Sequence, residues 1–165
     1  MGKIIKTNMC NILPKHVNEH PKYEYKKYEV TDSSQKYEVC SPVEGNQTVV
    51  AFYTLPPGKS NYPFHYHTTN EEVFYIVSGA AILETVDGIM HITAGDVIVC
   101  PVGKDGAHKI TNSSDTEELI YLDIDTNNTP DIAYYPHTNK VGVRSFGGIR
   151  DNFIIDSKVD YYENE

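Results

Sequence analysis

The chain has 165 residues, 39% of them hydrophobic and 22% charged, with a formal net charge of −9. That length suits one domain with a hydrophobic core of its own. The acidic balance argues against nucleic acid as a partner, because phosphate binding needs a basic face, and no run of about 18 apolar residues marks a membrane span.

The opening stretch MGKIIKTNMCNILPKH holds only short apolar pairs broken by Lys and Asn, so it does not read as a secretory signal. Gly2 starts a myristoylation-like pattern, but Lys6 stands where that motif wants Ser or Thr. The expectation is a cytoplasmic protein. Cys10, Cys40 and Cys100 lack CxxC spacing and are expected as reduced, structural thiols. The Asn-x-Ser/Thr triplets at Asn46, Asn112 and Asn127 are read as accidental in a chain rich in Asn and Thr.

Residues 1–40 form an N-terminal extension with seven Lys against five acids, whereas 41–165 hold seven basic residues against eighteen acids. Within it YEYKKYEV (23–30) alternates well enough to be an edge strand or one exchanged with a second copy, which supports a homodimer. The alternative is a solvated surface segment.

From residue 41 to 126 short apolar runs follow one another. TVVAFYTL (48–55) stops at Pro56-Pro57-Gly58, and VFYIV (73–77) stops at Ser78-Gly79. AAILETV (80–86) and IMHIT (89–93) flank Asp87-Gly88, a two-residue hairpin signal. DVIVC (96–100) ends at Pro101 and Gly103, and AHKIT (107–111) and ELIYLDID (118–125) complete the set. Val, Ile, Tyr and Thr suit pleated, half-buried surfaces, and no helical period persists over a dozen residues. The fold class is therefore all-β, a sandwich or barrel. Residues 127–165 read as a C-terminal extension packing on the barrel, with PDIAYYP (130–136) as an edge strand pinned by prolines and Gly147-Gly148 as a turn.

The stretch FHYHTTNEE (64–72) concentrates metal-competent side chains. On a strand His65 and His67 project to one face and Tyr66 to the other. Thr68-Thr69-Asn70 then turns the chain, and Glu71 or Glu72 opens the next strand, bringing one carboxylate back beside the imidazoles. Two His and one carboxylate with open positions suit divalent Fe, Mn, Ni or Zn. His108, which starts AHKIT after the turn-rich PVGKDG, is the best fourth ligand. His16, His20, His91 and His137 lack such company, and a surface or cross-strand role fits His91. A lone His-x-His triplet commonly binds nothing, so these residues alone leave both readings open.

The pattern resembles the cupin superfamily. Its first motif maps onto Gly58, His65, His67, Glu72 and Gly79, and its second onto Gly95, Pro101, Gly103, His108 and Asn112. Together they cover about residues 45–125. The resemblance selects Glu72 over Glu71 and implies a metal set of His65, His67, Glu72 and His108 inside a double-stranded β-helix, or jelly-roll, barrel. Two gaps depart from the usual pattern: six residues separate Gly58 from His65 where five is usual, and four separate Gly103 from His108 where two is common. The longer second gap, YYPHTNKVGV and the terminal YYENE resemble small single-domain bacterial cupins that carry labels such as sugar-phosphate or mannose-6-phosphate isomerase-like.

The function implied is binding or conversion of a small organic molecule, sugar-like or a carboxylate, at that metal. Isomerase, epimerase, decarboxylase or dioxygenase chemistry fits an enzyme, and the alternative is a non-catalytic small-molecule-binding or structural metallo-barrel. Thr69, Asn70 and Tyr75 are candidates to orient the ligands. Tyr62, Tyr66, Tyr75, Tyr121 and Glu71 are candidates to handle a proton, although strand parity turns Tyr66 outward. Lys59, Lys104 and Lys109 are the only cations of the middle zone, and only Lys104 lies near the expected mouth. So little basic lining favours a neutral or weakly charged ligand.

Overall fold

The computed structural model describes residues 4–16, 34–40, 47–145 and 148–163. The expected strand at 23–30, His20 and Gly147 lie outside the described residues. Thirteen strands are present among them: β1 (Lys15–His16), β2 (Gln35–Cys40), β3 (Thr48–Leu55), β4 (Tyr66–His67), β5 (Glu72–Ser78), β6 (Ala80–Thr85), β7 (Gly88–Thr93), β8 (Val97–Cys100), β9 (His108–Asn112), β10 (Leu119–Thr126), β11 (Asp131–Tyr135), β12 (Lys140–Arg144) and β13 (Arg150–Ile154). They form three sheets, ordered β1-β2-β3-β10-β5-β8, β13-β12-β11-β4 and β7-β6-β9. This is an all-β jelly-roll barrel. No helix of the described residues is long and apolar enough to cross a membrane.

Alternation decides which residues fill the barrel. Ala51, Tyr53 and Leu55 of β3, Phe74 and Ile76 of β5, and Leu119 and Tyr121 of β10 all face inward. Ala81, Leu83, Ile92 and Ile110 come from the three-stranded sheet. Following the inward faces of β5 and β10 from one end to the other, the side chains change from Leu119 through the paired Ile76 and Tyr121, then Phe74 and Asp123, to Glu72 and Asp125. One half of the interior is therefore hydrocarbon and the other polar. The polar half costs stability unless each group finds a partner.

The β6–β7 hairpin turns at Val86-Asp87, one residue before the expected Asp87-Gly88, because Gly88 already pairs with Thr85 as the first residue of β7. Gly79 adopts φ +89, and a Cβ there would lie 2.9 Å from the Glu118 carbonyl oxygen and 3.1 Å from Leu119 Cα. Both conformation and space demand glycine between β5 and β6. The three cysteines are free, and burial pushes the Cys100 thiol up to about 12.

Two segments differ from expectation. PDIAYYP contains β11, which is not an edge strand: it pairs with β12 on one side and β4 on the other. Pro130 and Pro136 fall just outside Asp131–Tyr135, so every residue within the strand keeps an N–H for the ladder. Within the C-terminal extension the residues that follow form two strands not expected from the sequence, β12 and β13, which widen the sheet that carries β4.

Candidate metal centre

The cluster begins with a bridge. His65 and His108 exchange backbone hydrogen bonds, His65 N to His108 O at 3.1 Å and His108 N to His65 O at 2.9 Å. That pairing closes the barrel wall and sets the two rings 4.9 Å apart. His67, two residues on, places its ring 5.2 Å from that of His65. Tyr66 points the other way and stacks on Tyr134 at 5.1 Å. On β5, Glu72 shares the inward face of Phe74, while Glu71 is exposed.

Four side chains meet here. Glu72 Oε2 lies 3.3 Å from His108 Nε2 and 3.9 Å from His65 Nε2, and Glu72 Oε1 lies 3.7 Å from His67 Nε2. One ligand atom each from His65, His67 and Glu72 falls within a 4.8 Å group, a spacing that can hold a metal ion.

The other ring nitrogens are all engaged. His65 Nδ1 bonds the Pro63 carbonyl at 2.9 Å, His108 Nδ1 bonds the Gly106 carbonyl at 2.9 Å, and His67 Nδ1 bonds the Asp131 carboxylate. With Nδ1–H donated in each case, the Nε2 lone pairs face the cluster. Such outer partners orient histidines as metal ligands. This donor chemistry fits a divalent cation.

Charge behaves accordingly. Burial, reinforced by the neighbouring imidazoles, lowers His65 to about 3, and burial lowers His108 to about 4. Burial also pulls at His67, but the Asp131 hydrogen bond and the Glu72 charge outweigh it and raise His67 above the ordinary histidine value. Burial pushes Glu72 up to about 8. Asp131 is 2% exposed, yet its bonds from His67 and Thr69 hold it below the usual carboxylate range.

Asp131 was not among the sequence candidates. It accepts from Thr69 N at 3.1 Å and Thr69 Oγ1 at 2.8 Å as well as from His67. Thr69 therefore supports His67 through Asp131. Asn70 pins the chain after β10 instead, accepting from Asn128 N at 2.7 Å and donating to Asn128 O at 3.1 Å. Tyr75 faces outward, 42% exposed, and orients nothing at the cluster. Asn112 donates to the Leu55 and Glu117 carbonyls at 2.9 and 2.8 Å and pins a loop. His91 is exposed on β7, and His137 stacks on Phe64 away from the cluster.

Tyr121 accepts from Asn61 Nδ2 at 2.7 Å, and the Tyr62 hydroxyl lies 3.1 Å from that of Tyr53. Both phenols are raised, chiefly by burial. An acidic pair was also missed. Asp123 and Asp125 follow Tyr121 on one face of β10, and each has an Oδ1 without a hydrogen-bond partner. Burial and the Asp125 charge raise Asp123 well above the usual range. Tyr62, His65, Glu72, His108, Tyr121 and Asp123 line a cavity of only about 20 Å³, room for about one water.

The family model described as Cupin domain matches residues 51–125, a span that includes His65, His67, Glu72 and His108. No curated protein matches the sequence. A sugar phosphate isomerase from a cupin superfamily, from Silicibacter pomeroyi DSS-3, is similar with TM-score 0.79 and 20% identity over 92% of this chain and 94% of that one. A provisionally named sugar phosphate isomerase from Acidithiobacillus ferrooxidans gives TM-score 0.68 and 25% identity over 79% and 81%. A provisionally named oxalate decarboxylase from Thermotoga maritima gives 0.60 and 22% over 76% and 100%.

Proposed function

We propose that this chain, a small cupin whose domain spans residues 51–125, holds a divalent cation on His65, His67, Glu72 and His108 and uses it on a small sugar-like or carboxylate molecule. The supporting observation is the convergence of three Nε2 atoms within 3.9 Å of one carboxylate. Zn, Mn, Fe and Ni all accept such ligands.

When bound, the cation would supply Lewis-acid polarisation of a carbonyl or hydroxyl oxygen. The protein does the rest. Its Nδ1 bonds keep three imidazoles aimed before anything binds, and Glu72 gives up a proton to become a ligand. Tyr62 and Tyr135, with rings 6.1 and 5.8 Å from that of His65, are the phenols beside the cluster that could hold a proton near the substrate. The apolar layer of Phe74 and Tyr121 below the cluster limits water from that side.

The name of the Acidithiobacillus structure supplies the first substrate class to try. Metal-reloaded protein would be incubated in deuterated water with small sugar phosphates and with 2-hydroxy acids, and proton spectra followed for exchange next to the carbonyl. Metal-dependent exchange, absent in His108→Ala, supports an enzyme. Full metal loading without exchange or product favours the second reading, a binding or structural metallo-barrel, for which the small interior cavity speaks. A homodimer belongs to this proposal: Val97 and Val99 on the sheet edge are 63% and 59% exposed, apolar surface that a second copy would cover. Sedimentation equilibrium tests it, and a monomer at micromolar concentration counts against it.

A further inference from the structure

The cavity among Tyr62, His65, Glu72 and His108 is too small for an organic substrate, so a molecule that engages those side chains extends beyond its mouth. The β13-β12-β11-β4 sheet walls that mouth, because β4 carries His67 and Tyr135 of β11 stacks on His65 at 5.8 Å and 16°. Register partners share a face. His67, Ala133, Gly142 and Asn152 therefore form one row across the four strands, and Asp131, Arg144 and Arg150 lie in the next.

The middle of the first row is bare backbone and methyl, and Arg144 lies across it. A Cβ at Gly142 would come within 3.1 and 3.2 Å of Arg144 Nη1 and Nη2 and 2.6 Å of Asn152 Oδ1. Glycine at 142 leaves the space that the guanidinium occupies. Arg144 donates from Nη1 to the Val143 and Asp151 carbonyls at 3.1 and 3.4 Å, and from Nη2 to Asn152 Oδ1 at 3.4 Å. Every anchor is neutral.

No carboxylate pairs with this half-buried cation among the described residues. Its register partner Asp131 is committed to His67 and Thr69. In a chain of net charge −9 an arginine without an acidic partner is unusual company. Lys140 adds a second cation, its Nζ 5.4 Å from the Tyr135 ring centroid. Tyr135 itself is raised by burial, and the charge of Arg144 opposes that rise, which places the guanidinium in electrostatic reach of the phenol on His65. At about 4.8 Å between strands, Gly142 is two spacings from His67, roughly 10 Å between backbones. That span suits a molecule of a few carbons.

The geometry points to Arg144, flanked by Tyr135 and Lys140, as the recognition site for the anionic group of a small substrate, a phosphate or a carboxylate, whose other end reaches the His65–His67–Glu72 cluster. This rests on the metal reading above and assigns the ligand class that reading leaves open. It also reverses the expectation of a neutral ligand, which counted only the lysines of the middle zone. A guanidinium fork binds either oxyanion in bidentate fashion.

The test is calorimetric titration of the metal-free, full-length protein with inorganic phosphate and, separately, with acetate. Native protein should bind one of the two, and that one names the group. Arg144→Gln should weaken it at least tenfold, while Lys104→Ala, on the exposed loop before His108, should leave it unchanged. Arg144→Lys keeps charge and stem, so a threefold or larger loss there carries the test if the Gln variant does not fold by circular dichroism. Equal affinity in native and Arg144 variants, or no anion binding by native protein, overturns the assignment. Metal content of the native protein, measured separately, reports on the metal reading alone.

Discussion

Asp131→Asn isolates the orientation of His67 from its identity as a ligand. The side chain keeps its shape, and at 2% exposure nothing else can take its place. To keep the bonds from Thr69 N and Thr69 Oγ1, at 3.1 and 2.8 Å, the amide must turn its oxygen toward Thr69 and its NH₂ toward His67 Nδ1. Nδ1 then has to accept, and the ring proton moves to Nε2, the nitrogen 3.7 Å from Glu72 Oε1. A protonated Nε2 cannot ligate. Recovering the native tautomer means breaking the Thr69 bonds instead. Loss of such an outer partner costs about 10- to 100-fold in metal affinity, or about 1.4–2.8 kcal/mol. The assay is Zn²⁺ titration at pH 7.5 against a chromophoric chelator, with thermal melts to show that the fold persists. Affinity within twofold of native, in a folded variant, would refute the account of how His67 is held.

Further outcomes follow from the same geometry. With Glu72 pushed up to about 8, His67 raised above the ordinary histidine value and His65 and His108 neutral, Zn²⁺ uptake at pH 7 should release about one proton from Glu72 and a further fraction from His67, and affinity should fall at least about tenfold per pH unit below 7. Calorimetry in two buffers of different ionisation enthalpy counts the proton, and proton-neutral uptake at pH 7 contradicts the assignment. The raised Glu72 means that the metal-free fold binds a proton the unfolded chain has released, so its stability contribution is present below 4.5 and lost as pH climbs through about 8. Urea melts of native protein against Glu72→Gln should therefore shift in favour of the variant between pH 5 and pH 9. Gly79→Ala forces a Cβ to 2.9 Å from the Glu118 carbonyl oxygen at φ +89 and should cost about 2 kcal/mol or more in urea unfolding. Asn112→Ala strips the Leu55 and Glu117 carbonyls and the Ser114 N–H of their partner, so about 2–3 kcal/mol should be lost with metal stoichiometry unchanged.

Most strands of the barrel were legible because their inward and outward faces differ in hydropathy. TVVAFYTL is β3 from end to end, and IMHIT and AAILET fall on the two arms of a hairpin that turns at Val86-Asp87, one residue before the expected Asp87-Gly88. KVGVR and RDNFI gave no such signal, since Gly142 and the arginines blur the alternation and the inward face there is polar. That is why β12 and β13 were not read as strands within the C-terminal extension. His65, His67 and Glu72 were legible for a local reason: one strand, one turn and the next strand bring them together within eight residues. Asp131 reaches His67 across 64 residues, a pairing that depends on β11 joining β4 and that no local period announces. Arg144 was missed for the same reason. Asp123 and Asp125 could have been found, because the alternation that places Leu119 and Tyr121 inside places these two on the same face.

Metal content tests the central claim most directly. The protein would be purified without chelator and without a metal-affinity column, and its metals counted by plasma mass spectrometry beside His65→Ala and His108→Ala. The account predicts close to one divalent ion per native chain, lost from both variants while their circular dichroism stays native. A native protein without metal, even after reloading at pH 8 where Glu72 can ionise, would contradict it.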